Sequence, residues 1–284
     1  MQTAEFSPGG YRFIPGVFQY SGGVVALPGY RIMRIRFMTP IALAQGFRRI
    51  EAILSEFDRP TTAFCACELR SPAPFSEQGF TEFNKHYVTT LSRWKLFDGT
   101  INPIARINVC PQIDPPLEPS FYAFSFTVPA SEATASFVIS GSEDIVRHGE
   151  TSADAMREKA ISALGQMEKR MQALGVSWAD TTATQVYTVH DLYPFLADEI
   201  VRRGAARSGL TWHFNRPPVT GLEFEVDCRG VMYEQVVPRV APNDFDWGQP
   251  SQQRPGDLAE RNATLASGGR SDRPLHRHRM PPPS

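Results

Sequence analysis

The chain has 284 residues, 42% of them hydrophobic and 21% charged, with a formal net charge of −1. That length suits about two domains of ~150 residues, and the composition suits a globular chain with a real core. A nearly neutral chain has no basic footprint to displace counterions from nucleic acid, and no apolar run approaches the ~20 residues of a membrane span, so neither is an expected partner. The opening MQTAEFSPGG lacks a basic start and an apolar stretch. No secretory leader is expected, and the expected location is the cytoplasm.

Period-2 and period-3.6 patterns then alternate along the chain. Met33, Ile35 and Phe37 alternate with Arg34 and Arg36, predicting a half-buried antiparallel strand. Leu43, Phe47, Ile50, Leu54 and Phe57 are spaced 4, 3, 4, 3 and predict an amphipathic helix. Ala63, Cys65, Cys67 and Leu69 share one face of a following strand. The Cys-x-Cys pair there reads as small-residue packing, because zinc sites favour Cys-x-x-Cys knuckles, and all four cysteines are expected as free thiols. Phe80, Phe83, Tyr87, Leu91 and Trp94 mark a second helix. A short strand around Arg106 and an aromatic-rich one over 121–128 close the first half, and the halves meet near residue 130.

The second half resumes with a strand over 136–139 ending at Gly141. A helical stripe follows at Met156, Ala160, Leu164, Met167, Met171 and Leu174. Next come a strand around Val186 and Thr188, a weaker helix at Leu196 and Ile200, and a strand over 222–229. TTAFCACELRSPAPF from Thr61 and TTATQVYTVHDLYPF from Thr181 share both ends without a gap at an offset of 120 residues, which predicts an internal duplication. From Arg239 onward the 46 residues hold seven prolines and only 11 apolar residues, so 239–284 is expected to be a disordered tail. The His276-Arg277-His278-Arg279 run is read as part of that solvated tail. The predicted class is α+β, with domains over 10–130 and 134–238.

No Walker loop, GxGxxG, HExxH or GxSxG occurs, so a site must be built otherwise. Arg106, in NPIARINVCP, suits either a surface ion pair or a clamp on a substrate carboxylate. Tyr20 and Ser21 lie beside two glycines that permit close backbone approach. Glu68 and Arg70 end one duplicated strand, and His190 aligns with Arg70 in the other. Glu223, Glu225 and Asp227 form an acidic strand face.

These segments resemble the Rid (YjgF-like) family of enamine/imine deaminases. QYSGG resembles its N-terminal Pro-Tyr-Ser-Gln segment, and NPIARINV its Pro-Ala-Arg-Ser-Cys-Val motif, whose arginine holds the substrate carboxylate. FVISG, LGQMEKRMQALGVSWADTTATQVYTVHDL and LEFEVDCRGV resemble further family segments. The combination of TAFCACELRSPAPF, NPIARINVCP and YPFLADEIVRRGAARSGLTWHF resembles a tandem-Rid group acting on aminomuconates. The resemblance implies two tandem chorismate-mutase-like domains, each a mixed sheet with two helices on one face. It also implies hydrolytic loss of ammonia from an amino-dienoate dicarboxylate such as 2-aminomuconate or its 5-chloro form, with no metal or organic cofactor. A monomer or a Rid-like trimer would suit it.

The second half lacks the motif arginine, with Trp212-His213 near its expected place, and the first lacks the closing glutamate. One composite site between the halves is therefore expected. Arg106 would anchor a carboxylate, backbone groups around Asn108 would polarise the imine, Glu225 or Glu223 would activate water, and Tyr20 would donate to the carboxylate or amine. Arg70, with His190 behind it, would hold the second carboxylate, and Glu68 and Ser21 would lie in the binding region. The alternative expectation is a non-catalytic binder of small carboxylates.

Overall fold

The computed structural model describes residues 1–131, 135–141 and 144–238; the expected tail and part of the expected junction between the halves lie outside these. Two short strands open the chain, β1 (Ala4–Phe6) and β2 (Tyr11–Phe13), followed by β3 (Gly23–Ala26) and the long β4 (Tyr30–Ala42). Helix α1 (Leu43–Glu56), β5 (Phe64–Arg70), α2 (Glu77–Arg93), β6 (Ala105–Pro111) and β7 (Ser120–Pro129) complete the first part. Then come β8 (Phe137–Ile139), α3 (Ala153–Leu174), β9 (Ala183–Tyr187) and α4 (Tyr193–Phe195). The strands β10 (Thr211–His213), β11 (Asn215–Arg216), β12 (Glu225–Gly230) and β13 (Tyr233–Val237) end the described chain.

Sequence dictates the ends of the long helices. Ser76 and Ser152 cap α2 and α3 by accepting from the backbone N–H groups of Gly79 and Ala155, and Gly175 ends α3 in the left-handed conformation. The weaker stretch is irregular: α4 is a single turn that runs into a π-helical turn over Leu196–Val201. Among the described residues no helix is long and apolar enough to cross a membrane.

The strands form two mixed sheets, ordered β1-β2-β3-β8-β12-β9-β10 and β11-β6-β5-β7-β4-β13. This order corrects the expectation of two tandem chorismate-mutase-like domains. Three strands from the start of the chain extend the sheet of the second half, while β11 and β13 from the second half extend that of the first. Neither half completes its sheet from its own residues, so the α+β class stands without that architecture. A chain-order reading assigns each strand to its nearest neighbours. Here β13 pairs with β4, Tyr233 opposite Met33, across 200 residues of chain (233 − 33).

Cores on both sides of the sheets explain the patterning. One cluster joins α1 and α2 to β4, β5 and β7; a second joins α3 to β8 and β12. A third lies between the sheets, with Tyr11, Phe13, Val24, Ile32, Cys65 and Ala66. Hence β4 is not half-buried as its alternation predicts: Ile35 and Phe37 face the helices, while Ile32 and Arg34 are buried on the opposite side. The predicted common face of Cys65 and Cys67 also fails. A register shift between Phe64 and Ala66 turns Cys65 toward the other sheet, leaving Cys67 toward the helices. All four cysteines are buried free thiols. Packing under α1 is aromatic, with the Phe47 ring 4.9 Å from Phe121 and 5.2 Å from Trp94, and Gly46 leaves the Phe121 ring room that any Cβ would fill.

Candidate active site

Strand β6 carries the central side chain. It runs parallel to β5, with Arg106 opposite Cys67 and Asn108 opposite Leu69. Residues two apart on a strand share a face, so Arg106 and Asn108 project together. Both are buried, and both line a cavity of about 210 Å³ with Val17, Gln19 and Tyr20 before β3 and Phe80 of α2. The far wall comes from later in the chain: Gly141, Ile145, Pro218, Val219, Leu222 and Glu225. Two loops meet beside the cavity, where Phe75 N–H donates to Pro218 O (2.8 Å) and Thr220 N–H donates to Phe75 O (3.0 Å).

Donors for an anion are present in unusual form. Arg106 Nη1 donates to Asn84 Oδ1 (2.6 Å), but its buried Nη2 has no hydrogen-bond partner among the described residues. Asn108 accepts from Ser71 Oγ (3.0 Å), yet its buried Nδ2 also lacks one. Leaving a buried donor unpaired costs about 1–3 kcal/mol, more when charged, so two on neighbouring residues of one face make this a candidate place for an acceptor. A carboxylate, with two oxygens and four lone pairs, matches them.

Glu225 stands at the start of β12 and is buried. Its carboxylate rests where a Cβ on Gly141 would lie, so glycine is required there to admit it. The loop is fixed from below: Arg170 of α3 donates to the carbonyls of Ser140 and Gly141, and Ser140 Oγ accepts from the Arg106 N–H (3.0 Å). Arg106, Asn108, Tyr20 and Glu225 thus share one cavity, with walls from both halves of the chain.

The other expected residues lie elsewhere. Ser21 is fully buried, its N–H donating to Ile104 O (2.8 Å) and its hydroxyl without a hydrogen-bond partner among the described residues. Arg70 is buried against the rings of Tyr122 (4.0 Å) and Tyr187 (5.6 Å), away from the cavity lining. His190 bonds Glu223 (2.9 Å), which also pairs with Arg216 (3.3 Å), so Glu223 is engaged outside the cavity. Glu68 forms a two-pronged ion pair with Arg34 (2.6 and 2.9 Å). Burial alone would raise its pKa, but the Arg34 guanidinium holds it well below the usual carboxylate range. Asn84, Gln19, Gly141 and Arg170 are the site residues that sequence reasoning misses. Among the described residues no group of three or more His, Cys, Asp and Glu is placed to hold a metal ion.

The second half places a different group where Arg106 stands. His213 on β10 is opposite Tyr187 on β9, as Arg106 is opposite Cys67, and Tyr187 lies 120 residues beyond Cys67. His213 stacks on Tyr187 and bonds Gln185 Oε1 (3.1 Å); Gln185 Nε2 donates to Asp227 (2.9 Å), and so does the Tyr187 hydroxyl (3.0 Å). Burial, reinforced by Glu68, pushes the Asp227 carboxyl up to about 6. Burial and then Arg70 hold His213 down to about 4.

These shifts have opposite consequences. Folded Asp227 keeps its proton to higher pH than the unfolded chain, so its contribution to stability falls as pH rises from about 4 to 6. Folded His213 releases its proton earlier than the unfolded chain, so its contribution rises from about 4 to 6.5. Asp227→Asn should therefore make Tm climb more steeply with pH than in the parent across that window, and His213→Gln should tilt it downward. Thermal melts at several pH values check this; shifts of the same sign in both variants would contradict it.

Comparison with known proteins bears on what this cavity does. The family model for the 2-aminomuconate deaminase CnbZ matches residues 3–235. A 2-amino-5-chloromuconate deaminase from Comamonas testosteroni is 47% identical over 245 residues, covering 82% of this chain and 98% of that relative. Among solved structures, a cyanuric acid hydrolase from A. caulinodans aligns over 74% of this chain and 69% of its own, with 10% identity and a TM-score of 0.37. A further cyanuric acid hydrolase structure aligns over the same shares, with 12% identity and a TM-score of 0.38. Those two scores are too low to inform the site. The family match spans the strands, loops and cavity described above, and the chain belongs to the 2-aminomuconate deaminase CnbZ family.

Proposed function

We propose that this chain is a hydrolytic deaminase of aminomuconates, taking 2-aminomuconate and its 5-chloro form. The observation that carries the site assignment is that two residues with a buried, unpaired donor among the described residues, Arg106 (Nη2) and Asn108 (Nδ2), line a cavity that is also lined by a buried carboxylate, Glu225. Kinship with the Rid deaminases belongs to the same proposal. It is supported by the QYSGG and NPIARINV segments, which supply Tyr20 and Arg106.

The chemistry asks little of the protein. The enamine tautomerises to an imine by moving a proton from nitrogen to carbon, and water adds to the imine carbon. The C–N bond of the resulting carbinolamine then breaks, so that one water is consumed, one ammonia leaves and a 2-oxo acid remains. Arg106 and Asn108 hold the carboxylate next to the reacting carbon. Glu225 takes a proton from the water and returns it to nitrogen as ammonia departs. Tyr20 lines the wall beside Arg106 and donates to the carboxylate or the amine. Val17, Ile107, Ile145 and Leu222 give the diene and a chlorine substituent an apolar surround. Arg106 is the one cation among the described residues that line the cavity, so the substrate's second carboxylate is placed toward the mouth.

Ammonium release is the direct test. The purified protein incubated with 2-aminomuconate should release one ammonium per substrate consumed, faster than a protein-free control. Ammonium at the control rate would overturn the proposal.

A further inference from the structure

We infer that Asn84 is a positioning residue that sets the site's affinity for carboxylates, aiming the Arg106 guanidinium into the cavity while leaving its charge intact. The inference rests on reading the cavity as a carboxylate site. Asn84 lies on α2, four residues after Phe80, and is fully buried. Its Nδ2 donates to Phe80 O (2.7 Å). A carbonyl can only accept, so that contact fixes the amide's orientation and turns Oδ1 toward Arg106 Nη1 at 2.6 Å.

The partners around the guanidinium share one property. The rings of Tyr87 (4.8 Å), Tyr20 (5.0 Å), Phe80 (5.6 Å) and Phe83 (5.8 Å) surround Arg106 Cζ. Aromatic faces attract a cation through their quadrupole, and an amide oxygen through its dipole; neither neutralises it. Three of these rings and Asn84 come from a single face of α2, at positions 80, 83, 84 and 87. That face fixes the fork through Nη1 and leaves Nη2 without a hydrogen-bond partner among the described residues. An aspartate at position 84 would keep the shape and supply the counter-charge inside the protein. The ligand carboxylate would then meet a neutralised pair, with a second carboxylate close behind it.

The test compares Asn84→Asp with Asn84→Ser, which keeps a neutral acceptor oxygen, in the full chain. Calorimetric titration uses cis,cis-muconate, the dicarboxylate without the amino group, and steady-state kinetics use 2-aminomuconate; melting curves establish that each variant is folded. Loss of uniform binding raises KM and leaves kcat. We expect N84D to weaken muconate binding and raise KM by roughly tenfold or more, with kcat within about threefold, and N84S, which stays neutral but is one bond too short to hold Nη1, to lose several-fold less than N84D. Parent-like binding by N84D, or an equal loss in N84S, would overturn the inference, the latter by showing a packing role alone. If the parent binds muconate but releases no ammonium, the deaminase reading fails while the titrations still decide the role of Asn84. If the parent does not bind muconate, both fail.

Discussion

Replacing Arg106 by methionine should lower kcat/KM for 2-aminomuconate by roughly 10- to 10²-fold, because a charge-assisted contact to a carboxylate is worth ~1.5–3 kcal/mol and each 1.4 kcal/mol is tenfold. The same variant should melt within a few degrees of the parent. Arg106 is buried, held by an amide and by aromatic rings, with one guanidinium nitrogen unpaired. A well-packed apolar side chain of similar length removes that desolvation cost, at the expense of leaving Asn84 Oδ1 without its donor. Activity and stability are thus expected to separate at this position, as they do where a buried charge is kept for a ligand. Ammonium assays and thermal melts on the same preparation check both halves. Parent-like turnover would remove Arg106 from the site.

Glu225→Gln should produce the complementary defect, a fall in kcat of about 10²–10⁴-fold with a much smaller change in KM, because a general base acts on the proton in flight and not on substrate affinity. The substitution is nearly isosteric, which matters where Gly141 leaves no slack around the carboxylate. Steady-state ammonium release over a range of substrate concentrations separates the two constants. A kcat within a few-fold of the parent would transfer the base role to another group.

Several parts of this molecule were legible in the residues themselves. The stripes at 43–57, 80–94 and 156–174 correspond to α1, α2 and α3, because helical periodicity and serine caps are local properties. Arg106, Asn108, Tyr20 and Glu225, which line one cavity, each sit in a segment with its own motif. Arg70, His190 and Glu68 lie outside the lining of that cavity for a common reason. Their neighbours in sequence say nothing about Tyr122, Glu223 or Arg34, the groups they meet across the fold. Asn84 carried an overlooked signal: a polar residue on the apolar stripe of α2, between Phe80, Phe83 and Tyr87, has to be satisfied by something buried. The sheet order was not legible at all, since strand alternation reports which face is buried and never which strand lies alongside.

The exchange of strands between the two sheets also governs when the cavity can exist. β3 pairs with β8, β6 with β11 and β4 with β13, so each sheet waits for partners made much later in synthesis. Pairings of such sequence separation pay loop-closure entropy before any contact rewards it, and they slow folding. Until residues 225–237 have emerged from the ribosome, β12 and its Glu225 are missing, the outer edge of β4 is bare, and Arg106 faces a half-built wall. The edge of β4 thus stays uncovered from its own synthesis until that of β13, and it carries arginines at 31, 34 and 36, charges of the kind that discourage edge-to-edge pairing.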